Sequence, residues 1–465
     1  MKNKLHLLTM LLLLVFTACN DEEDFRTYDP FVVAFDKISI DFSTIQNDEE
    51  IQLVFSETAQ ADGLVTISYT LTDANYGVDF ETLPMAVDGL IEIPISTGQS
   101  SASFIFKNLI YPFDNEKSVE LKIHEIDYPL NNNIQGYSQL LISFETSLGG
   151  NIEPEVGGPN QGNQVYVDLS KQKFTAVQRD SWDLGFYGGD NFRVGINGSI
   201  YMATKALEFT DIDQVTEDDV TSFQSEVAIG TFTAENMEYV DAVDGNILGT
   251  AISEISLTDT ENKVYLLNMG YEVGTSIPGT GGVAIAGDHR GWKKIRILRN
   301  EENYILQYAD LNDTIHQEIT ISKDSEYNFT FFSLNTESIV NVEPKKVEWD
   351  LNFTVFTNEI EGFGSYGYSD FIVSNTKANV QVYQVDTSDI TYEDFSESNI
   401  DTSSFSDDQR VIGSNWRDVF NASAYDDRFY IVKDTENNIY KIRFTALVND
   451  SGERGFPEFE YSLIQ

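Results

Sequence analysis

Few side chains in this sequence could carry out metal or catalytic chemistry. The chain has one cysteine, Cys19, and beyond residue 18 its only histidines are His124, His289 and His316. Catalysis would need a nucleophile beside a base, a pair of carboxylates in a cleft, or a metal cluster. The sequence contains no spaced His/Cys ligand motif, no nucleophile elbow and no phosphate-binding loop. We therefore predict that the protein is not an enzyme.

The cysteine stands at the end of an export signal. Residues 1–18 begin with lysines, continue through an apolar run from Leu7 to Phe16, and end in small residues before Cys19. This order is typical of a secretory signal, and the run is too short for a transmembrane helix. Thr17-Ala18-Cys19 resembles the bacterial lipobox, so we predict that Cys19 carries lipid and anchors the mature chain to a membrane. The alternative is an ordinary cleaved signal.

An acidic segment, residues 20–24, follows the cysteine. It resembles the surface-export signal of Bacteroidetes lipoproteins and predicts an outer-membrane lipoprotein on the cell surface. Residues 19–29 also suit a solvated tether, and the two interpretations are compatible.

Charge restricts the partners. The chain has 29 Lys and Arg against 76 Asp and Glu; removing Lys2 and Lys4 with the signal leaves 27 against 76, a formal charge of −49. Binding to nucleic acid is excluded because phosphate contacts need clustered cations. The sequence is nevertheless 41% hydrophobic, which is enough to form cores.

The elements that must position any site are predicted to be strands. Segments 52–55, 65–69 and 103–106 are rich in Val, Ile, Phe and Tyr, and clusters of Asp, Asn and Gly separate them. This pattern is typical of antiparallel sheets. We predict an all-β chain with a first domain over 30–146. The Gly- and Pro-rich segment 147–163 has no strand pattern and predicts a flexible linker.

Beyond that linker the sequence repeats itself. Segment 167–177 resembles segment 332–342, and Trp182-Asp183-Leu184 corresponds to Trp349-Asp350-Leu351. The similarity continues at three later places, 215–220 with 390–395, 265–268 with 430–433, and 295–297 with 442–444. We predict a duplicated, mainly antiparallel β unit over 164–324 and 325–465.

Individual residues of the repeat have predicted structural roles. Thr216 and Thr391 each precede an acidic residue by three positions and would cap short helices. Trp182 and Trp349 would anchor cores, with the adjacent aspartates holding backbone turns. Residues 270–291 form a glycine-rich insertion in the first unit, which is either a solvent-exposed excursion, the interpretation we favour, or a binding loop.

Residues 182–186, 429–434, 440–445 and 456–461 together resemble the HmuY family of bacterial haem-binding lipoproteins. The resemblance covers about 300 residues, from near Gln164 to the C-terminus. It implies a two-layer all-β fold and haem capture for an outer-membrane haem receptor.

The best-known members of the family hold haem iron between two histidines, and related proteins use methionine. The resemblance therefore makes His289 and Met269 candidate haem ligands, with Met202 and Met237 conceivable. The alternatives are a polar loop residue for His289, an exposed turn residue for His316, and core packing for the methionines.

The first domain resembles a Calx-beta sandwich. The resemblance rests on 76–80, 91–94, 101–106, 114–116 and 119–123. Some relatives bind calcium through clustered carboxylates, and the matching positions here are Asp79, Asp114 and Glu116. Calcium prefers six to eight oxygen ligands. The alternative is that these carboxylates cap turns.

Two functions remain open from the sequence. The family resemblance favours haem binding or haem acquisition. The absence of an evident pair of ligands favours a surface lipoprotein that binds a protein or a glycan through its β domains.

Overall fold

The computed structural model describes residues 30–41, 45, 48–109, 117–143 and 148–465. The predicted signal peptide, Cys19, the acidic tether, Asp114 and Glu116 lie outside the described residues. Most of the regular secondary structure in the described part of the chain is strand, which confirms the predicted all-β class. No helix among these residues is long and apolar enough to cross a membrane.

Ten strands make up the first domain. They are β1 (Phe31–Phe35), β2 (Ser39–Asp41), β3 (Asp48–Phe55), β4 (Gly63–Thr72), β5 (Phe80–Leu83), β6 (Leu90–Ile95), β7 (Ser101–Asn108), β8 (Ser118–Asp127), β9 (Asn132–Ile134) and β10 (Gln139–Ser143). They form two five-stranded sheets in the orders β5-β7-β3-β1-β9 and β2-β10-β8-β4-β6. Alternate residues of β1, namely Phe31, Val33 and Phe35, are buried in a core shared by the two sheets, as the two-residue period of a strand requires.

The remaining strands follow in chain order. They are β11 (Gly149–Ile152), β12 (Asn163–Asp168), β13 (Lys173–Gln178), β14 (Leu184–Tyr187), β15 (Val194–Ile196), β16 (Ala203–Ala206), β17 (Val264–Asn268), β18 (Tyr271–Val273), β19 (Ala286–His289), β20 (Trp292–Arg299), β21 (Asn303–Asp310), β22 (Gln317–Ser322), β23 (Phe329–Ser333), β24 (Ser338–Val340), β25 (Leu351–Ile360), β26 (Gly364–Ser374), β27 (Gln381–Asp386), β28 (Arg417–Asp418), β29 (Ser423–Ala424), β30 (Arg428–Lys433), β31 (Ile439–Val448) and β32 (Arg454–Leu463).

Among the described residues, helical structure occurs only in short segments. The α-helix α1 spans Glu217–Val220, and the 3-10 turns span Gly158–Asn160, Gly198–Ile200, Ile212–Gln214, Gln224–Glu226, Ala234–Tyr239, Ile247–Gly249, Asp259–Glu261, Thr376–Ala378 and Glu397–Asn399. Thr216 starts α1 as predicted, and its N–H donates to Asp219 Oδ2 (2.8 Å). The hydroxyl of Thr391 accepts the N–H of Asp394 (3.2 Å), but Thr391 begins a turn and not the helix that was predicted.

The linker prediction is wrong for residues 149–152. These residues form β11, which pairs antiparallel with β32 and so completes a sheet of the second part of the chain. Gly149 has a φ of +125°, and a Cβ at this position would collide with the carbonyl oxygen of Tyr461. The glycine at position 149 therefore permits the backbones of β11 and β32 to approach closely. Amino-acid composition alone does not distinguish this role of a glycine from chain flexibility.

Two five-stranded sheets share one pattern of connection over their first four strands. One has the order β16-β17-β20-β21-β22, and the other β27-β30-β31-β32-β11, in which the fifth strand comes from the start of this part of the chain. Two four-stranded sheets, β13-β12-β25-β26 and β15-β14-β23-β24, and the two-stranded sheets β18-β19 and β28-β29 make up the rest of the sheets in the described residues. We call residues 164–324 and 325–465 the two halves of this part of the chain. In the four-stranded sheets, the hairpin β12–β13 of the first half pairs with β25, which follows Trp349-Asp350, and the hairpin β23–β24 of the second half pairs with β14, which follows Trp182-Asp183. Val167 faces Leu351, and at the corresponding sequence positions Phe332 faces Leu184.

The aspartates of the Trp-Asp pairs bridge the two halves. Asp183 Oδ2 accepts the N–H of Leu334 (2.6 Å), and Asp350 Oδ2 accepts the N–H of Leu169 (2.8 Å). Each carboxylate thus binds the backbone just after the hairpin strand of the opposite half. The two halves are held together by reciprocal contacts of the same kind.

Candidate functional site

His289 is already engaged by its own surroundings. Its Nε2–H donates to Asn268 Oδ1 (2.9 Å), while its Nδ1 accepts the N–H of Gly291 (3.1 Å). The ring lies beside Tyr271 and Trp292, with centroid distances of 5.3 and 5.7 Å. Burial lowers the pKa of this imidazole. Either nitrogen would have to give up a hydrogen bond before it could bind a metal.

The three methionine candidates for haem ligands are buried or half-buried. Met269 is 3% exposed and packs in a hydrophobic core, and Met202 is fully buried in the same core. Met237 lies half-buried in the 3-10 turn Ala234–Tyr239. None of these thioethers is placed at the surface beside the imidazole of His289.

The other two histidines have separate locations. His316 Nδ1 lies 3.0 Å from Asp213 Oδ1 in the second part of the chain. His124 is exposed on β8 of the first domain. The structure therefore does not bring the histidines together.

The insertion 270–291 forms a hairpin. Its strands β18 and β19 pair with each other, and the buried guanidinium of Arg179 donates to the carbonyl of Ile285. Asn160 Nδ2 donates to the carbonyls of Ser276 (3.0 Å) and Ala284 (2.9 Å). These contacts fix the loop between β18 and β19 to the body of the protein, while Ile277 in the same loop is exposed.

The calcium candidate is incomplete in the described residues. Asp79 Oδ1 accepts a hydrogen bond from Lys117 Nζ (2.7 Å), and Oδ2 accepts the N–H of Asn75 (2.6 Å). The bond from Lys117 is the main cause of the lowered pKa of Asp79. No group of three or more His, Cys, Asp or Glu side chains suited to a metal occurs in the part of the chain that the structure describes.

The strongest candidate site is a cavity between the two halves, which we call the central cavity. Its volume is about 190 Å³. Residues of β12, β15, β23, β25 and β26 line it, together with the 3-10 turns Gly198–Ile200 and Thr376–Ala378. Six aromatic side chains contribute to its wall: Tyr166, Trp182, Phe329, Phe331, Trp349 and Phe356.

Corresponding residues of the two halves meet at the central cavity. Trp182 packs edge-on against Phe331 (centroids 4.7 Å apart), and Trp349 packs edge-on against Tyr166 (5.0 Å). In each pair the indole comes from one half and the other ring from the hairpin of its partner half. The cavity is therefore lined by side chains from residues 164–324 and from residues 325–465.

The backbone at each tryptophan is held by an asparagine. Asn197 Nδ2 donates to the carbonyl of Trp182 (2.8 Å), and Asn375 Nδ2 donates to the carbonyl of Trp349 (2.9 Å). Both asparagines are buried and line the cavity. These bonds fix the position of the two indoles.

Four buried polar atoms on cavity-lining side chains have no hydrogen-bond partner. They are the indole Nε1 of Trp182 and of Trp349, Asn352 Oδ1 and Ser374 Oγ. Buried polar groups are almost always hydrogen-bonded, and an unpaired one costs about 1–3 kcal/mol. Each of these four atoms is itself shielded from solvent, and six other side-chain atoms of the described residues are buried without a partner away from the cavity, so the four do not by themselves mark a ligand site.

Two carboxyls lie at the edge of the cavity. The N–H of Phe329 donates to Glu343 Oε1 (2.7 Å), and burial raises the pKa of Glu343 to about 8. Asp241 accepts the N–H groups of Ile196 (2.8 Å) and Ala251 (2.9 Å), and burial raises its pKa to about 6.

Lys377 is the cation of the site. Burial lowers its pKa, and the charges of Glu343 and Asp241 oppose that effect. Its Nζ lies 5.6 Å from the centroid of Phe329 and donates to the carbonyl of Gly245 (3.3 Å). An adjoining space of about 130 Å³ shares Lys377 and Asp241 and reaches Met202. The site thus combines aromatic walls, neutral polar groups and a nearly balanced set of charges.

We expect Glu343→Gln to stabilise the protein increasingly as pH rises. In the folded chain the pKa is about 8, against an ordinary value of 4.5. Between these values the unfolded state loses a proton that the folded state keeps, so stability falls with rising pH. The variant escapes this loss and should exceed the parent by about 2–4 kcal/mol at pH 8, but by much less at pH 5.

Urea unfolding at the two pH values measures this difference. Glu361→Gln, at an exposed position between β25 and β26, is the control and should change stability equally at the two pH values. A gain for Glu343→Gln that is equal at pH 5 and pH 8 would contradict a raised pKa at Glu343.

Comparison with known proteins places the chain in a family. Its fold is all-β, and the central cavity lies between the two four-stranded sheets. Residues 160–461, well over half of the chain, match the family described as HmuY protein, so this chain belongs to the HmuY family. This confirms the family resemblance that the sequence indicated.

The other comparisons add little. No curated protein matches the chain. A solved structure titled "Crystal structure of Apo-form Calx CBD1 domain" is 11% identical over 25% of this chain and 97% of its own length, with a TM-score of 0.20. A likeness of that size supports no conclusion about fold or function.

The family implies haem, and the described residues do not fit it. No histidine lines the central cavity, and the three histidines in the described ranges lie apart: His289 and His316 have hydrogen-bond partners of their own, and His124 is exposed on β8. Of the thioethers, Met202 reaches the adjoining space but is held in the core. The described residues therefore offer no pair of axial ligands facing a common space.

Proposed function

We propose that this HmuY-family protein is a lipid-anchored, non-catalytic binding protein that takes a small ligand into the central cavity. The observation that carries the proposal is one cavity of about 190 Å³ whose lining combines six aromatic side chains with the fixed polar side chains of Asn197 and Asn375. Pockets that bind small molecules have mainly apolar walls and a few fixed polar groups. The central cavity has both.

The predicted lipid anchor on Cys19 would hold the binding protein outside the cell. Cys19 would carry the lipid, and residues 20–29 would be the tether behind it. The first domain would act as a spacer between the membrane and the ligand site. The acidic surface of such a protein keeps it soluble and disfavours anionic partners.

We infer further that residues 164–324 and 325–465 are a duplicated unit. The inference is supported by the shared sheet order, by the equal registers of the exchanged hairpins and by the matching asparagine contacts at Trp182 and Trp349. A ligand site between two copies of one unit would have arisen when the copies came together.

Haem capture for an outer-membrane receptor is the second candidate, and family membership favours it. It would require a rearrangement that frees His289 from Asn268, or one that exposes Met269. Calcium in the first domain remains a proposal that depends on Asp79 together with Asp114 and Glu116.

One paired titration separates the two candidates. The soluble chain that starts after Cys19 is titrated with haemin, followed by its absorbance, and with indole, followed by its melting temperature. We expect indole to raise the melting temperature, because a ligand that binds only the folded state stabilises it. We expect haemin to give no sharp, saturable absorbance change.

Variants assign each response. Ser374→Leu would fill part of the central cavity and should abolish the response to indole, whereas His289→Ala should leave it unchanged. A saturable haemin spectrum that is lost in His289→Ala or Met269→Ala would establish the second candidate instead. No response to indole in the parent chain would count against the central cavity as a ligand site.

A further inference from the structure

An aromatic surface lies where the two halves meet, away from the central cavity. Phe232, Phe363 and Tyr366 are 59%, 56% and 41% exposed, and we call these three side chains the aromatic patch. None of them lines the central cavity or the adjoining space. We propose that the aromatic patch docks a basic segment of a partner protein, in which arginine side chains alternate with apolar ones.

Phe232 of the first half and Tyr366 of the second half form one continuous surface. Their ring centroids are 5.7 Å apart. The N–H of Gly230 donates to the carbonyl of Ser365 (2.8 Å), so the segment that carries Phe232 runs beside the start of β26. The N–H of Ser365 donates in turn to Asn236 Oδ1 (2.6 Å). The two rings are thus held together by contacts of the backbone as well as by their own packing.

Phe363 is fixed beside the same segment. Gly362 and Gly364 on either side of it have φ values of +77° and +85°, so the turn between β25 and β26 depends on both glycines. A Cβ on Gly364 would collide with the carbonyl oxygen of Thr233, the residue after Phe232. The aromatic patch is therefore preformed, and a partner does not have to order it on binding.

The backbone of Phe232 supports a role for its exposed ring. Its φ is +55°, in the left-handed region that a bulky side chain seldom adopts. Glycine or asparagine would suit this conformation better. A strained position that carries a large ring at the surface is typical of sites where the side chain itself is used. We therefore assign the ring of Phe232 a function in contact with a partner.

The exposed rings require a partner that has apolar groups. Contiguous apolar surface rimmed by polar residues marks interaction sites, and aromatic side chains are enriched in protein interfaces. Covering the three rings removes apolar area from water, which is favourable. A purely ionic ligand would leave that contribution unused.

Three exposed carboxylates border the aromatic patch: Glu235, Glu359 and Glu361. They lie on the two segments that carry the rings, within a few residues of them. None of the three forms an ion pair or a hydrogen bond with another residue that the structure describes. The charge of Glu359 acts on Arg410, but that guanidinium is ion-paired with Asp408 (2.6 Å). The border of the patch therefore has uncompensated negative charge.

This charge decides between the kinds of partner. The sequence has a formal charge of −47, so a second copy would bring further carboxylates to the patch, and an anionic lipid surface would be repelled. A basic segment is attracted to the same place. Arginine suits it best, because a planar guanidinium stacks on aromatic faces and also pairs with carboxylates.

Titration with defined peptides tests the proposal. The soluble chain that starts after Cys19 is titrated by calorimetry with a short peptide in which arginine and leucine alternate, and with its lysine counterpart of equal charge. We expect saturable binding of one peptide per chain, tighter for the arginine peptide. Phe232→Asn should weaken this binding about tenfold, as the loss of an interface anchor does, without lowering the melting temperature.

Matched variants separate the aromatic patch from the overall charge. Glu235→Lys and Glu301→Lys change the net charge equally, but Glu301 lies in the turn between β20 and β21. Glu235→Lys should weaken binding of the arginine peptide clearly more than Glu301→Lys does, because charges that are far apart are screened. Phe174→Asn removes an exposed ring on β13, outside the patch, and should leave the affinity unchanged.

Absence of saturable binding to the arginine peptide would overturn the proposal. Equal weakening by Glu235→Lys and Glu301→Lys, with no effect of Phe232→Asn, would also overturn it, because the peptide would then sense only net charge. A dimer in solution that Phe232→Asn disrupts would instead make the patch an interface between two copies. Binding to phosphatidylcholine vesicles that is lost in Phe232→Asn would make it a membrane contact.

Discussion

Replacing Arg179 by methionine should lower the free energy of unfolding by about 3–6 kcal/mol, because three buried carbonyls lose their donor together. Arg179 is 1% exposed. Its guanidinium donates to the carbonyls of Gln161 (2.8 Å), Ser199 (2.6 Å) and Ile285. These carbonyls belong to the segment before β12, a turn at the central cavity and the inserted hairpin, so one side chain joins three separate segments.

Denaturant unfolding of the soluble chain measures this loss. Arg443→Met is the control, because Arg443 is partly exposed and pairs with Glu393 and Glu460 near the surface. Such pairs typically contribute less than about 1 kcal/mol. Equal losses in the two variants would show that Arg179 does not organise the site.

The two Trp-Asp aspartates should respond differently to the same substitution. Asp183→Asn removes the counter-charge of Arg290, whose Nη1 lies 2.6 Å from Asp183 Oδ1 and whose side chain is 9% exposed. An unpaired buried charge costs about 3–5 kcal/mol. Asp350 instead accepts the N–H groups of Leu169 and Thr435, with no basic partner among its hydrogen bonds.

Asp350→Asn should therefore cost less than about 1.5 kcal/mol. Burial, with the nearby carboxyls of Asp168 and Asp434, holds the pKa of Asp350 well above its usual range, so a neutral amide is a close substitute. Parallel unfolding curves at pH 7 compare the two variants. A larger loss for Asp350→Asn than for Asp183→Asn would contradict these assignments.

The fold class was accessible from the sequence because strand patterns are local. Segments 52–55, 65–69 and 103–106 lie within β3, β4 and β7, where the side-chain period alternates between core and solvent. The family could be predicted for the same reason, since short motifs such as Trp182-Asp183-Leu184 carry it. The lipid on Cys19 and the membrane location remain predictions.

The site was not accessible because it forms between residues far apart in the chain. Asn352 and Ser374 resemble ordinary polar residues of half-exposed strands, and only the hairpin exchanged between the halves buries them. Trp182 and Trp349 were predicted as core anchors, and both belong to one hydrophobic cluster with Tyr166 and Phe331. Pattern alone could not show that their N–H groups lack partners.

Polar side chains that join distant segments were missed in the same way. Arg179 and Glu343 have no local motif: the guanidinium of Arg179 binds the carbonyl of Ile285, and the carboxyl of Glu343 accepts the N–H of Phe329. The one sequence signal for the site was the repeated Trp-Asp pair. Two equivalent tryptophans in a duplicated unit could have suggested a shared location.

A crystal structure of the soluble chain soaked with indole tests the central claim most directly. We predict electron density for that compound in the central cavity, beside Trp182 and Trp349. Density for the compound elsewhere, with only water in the central cavity, would contradict it.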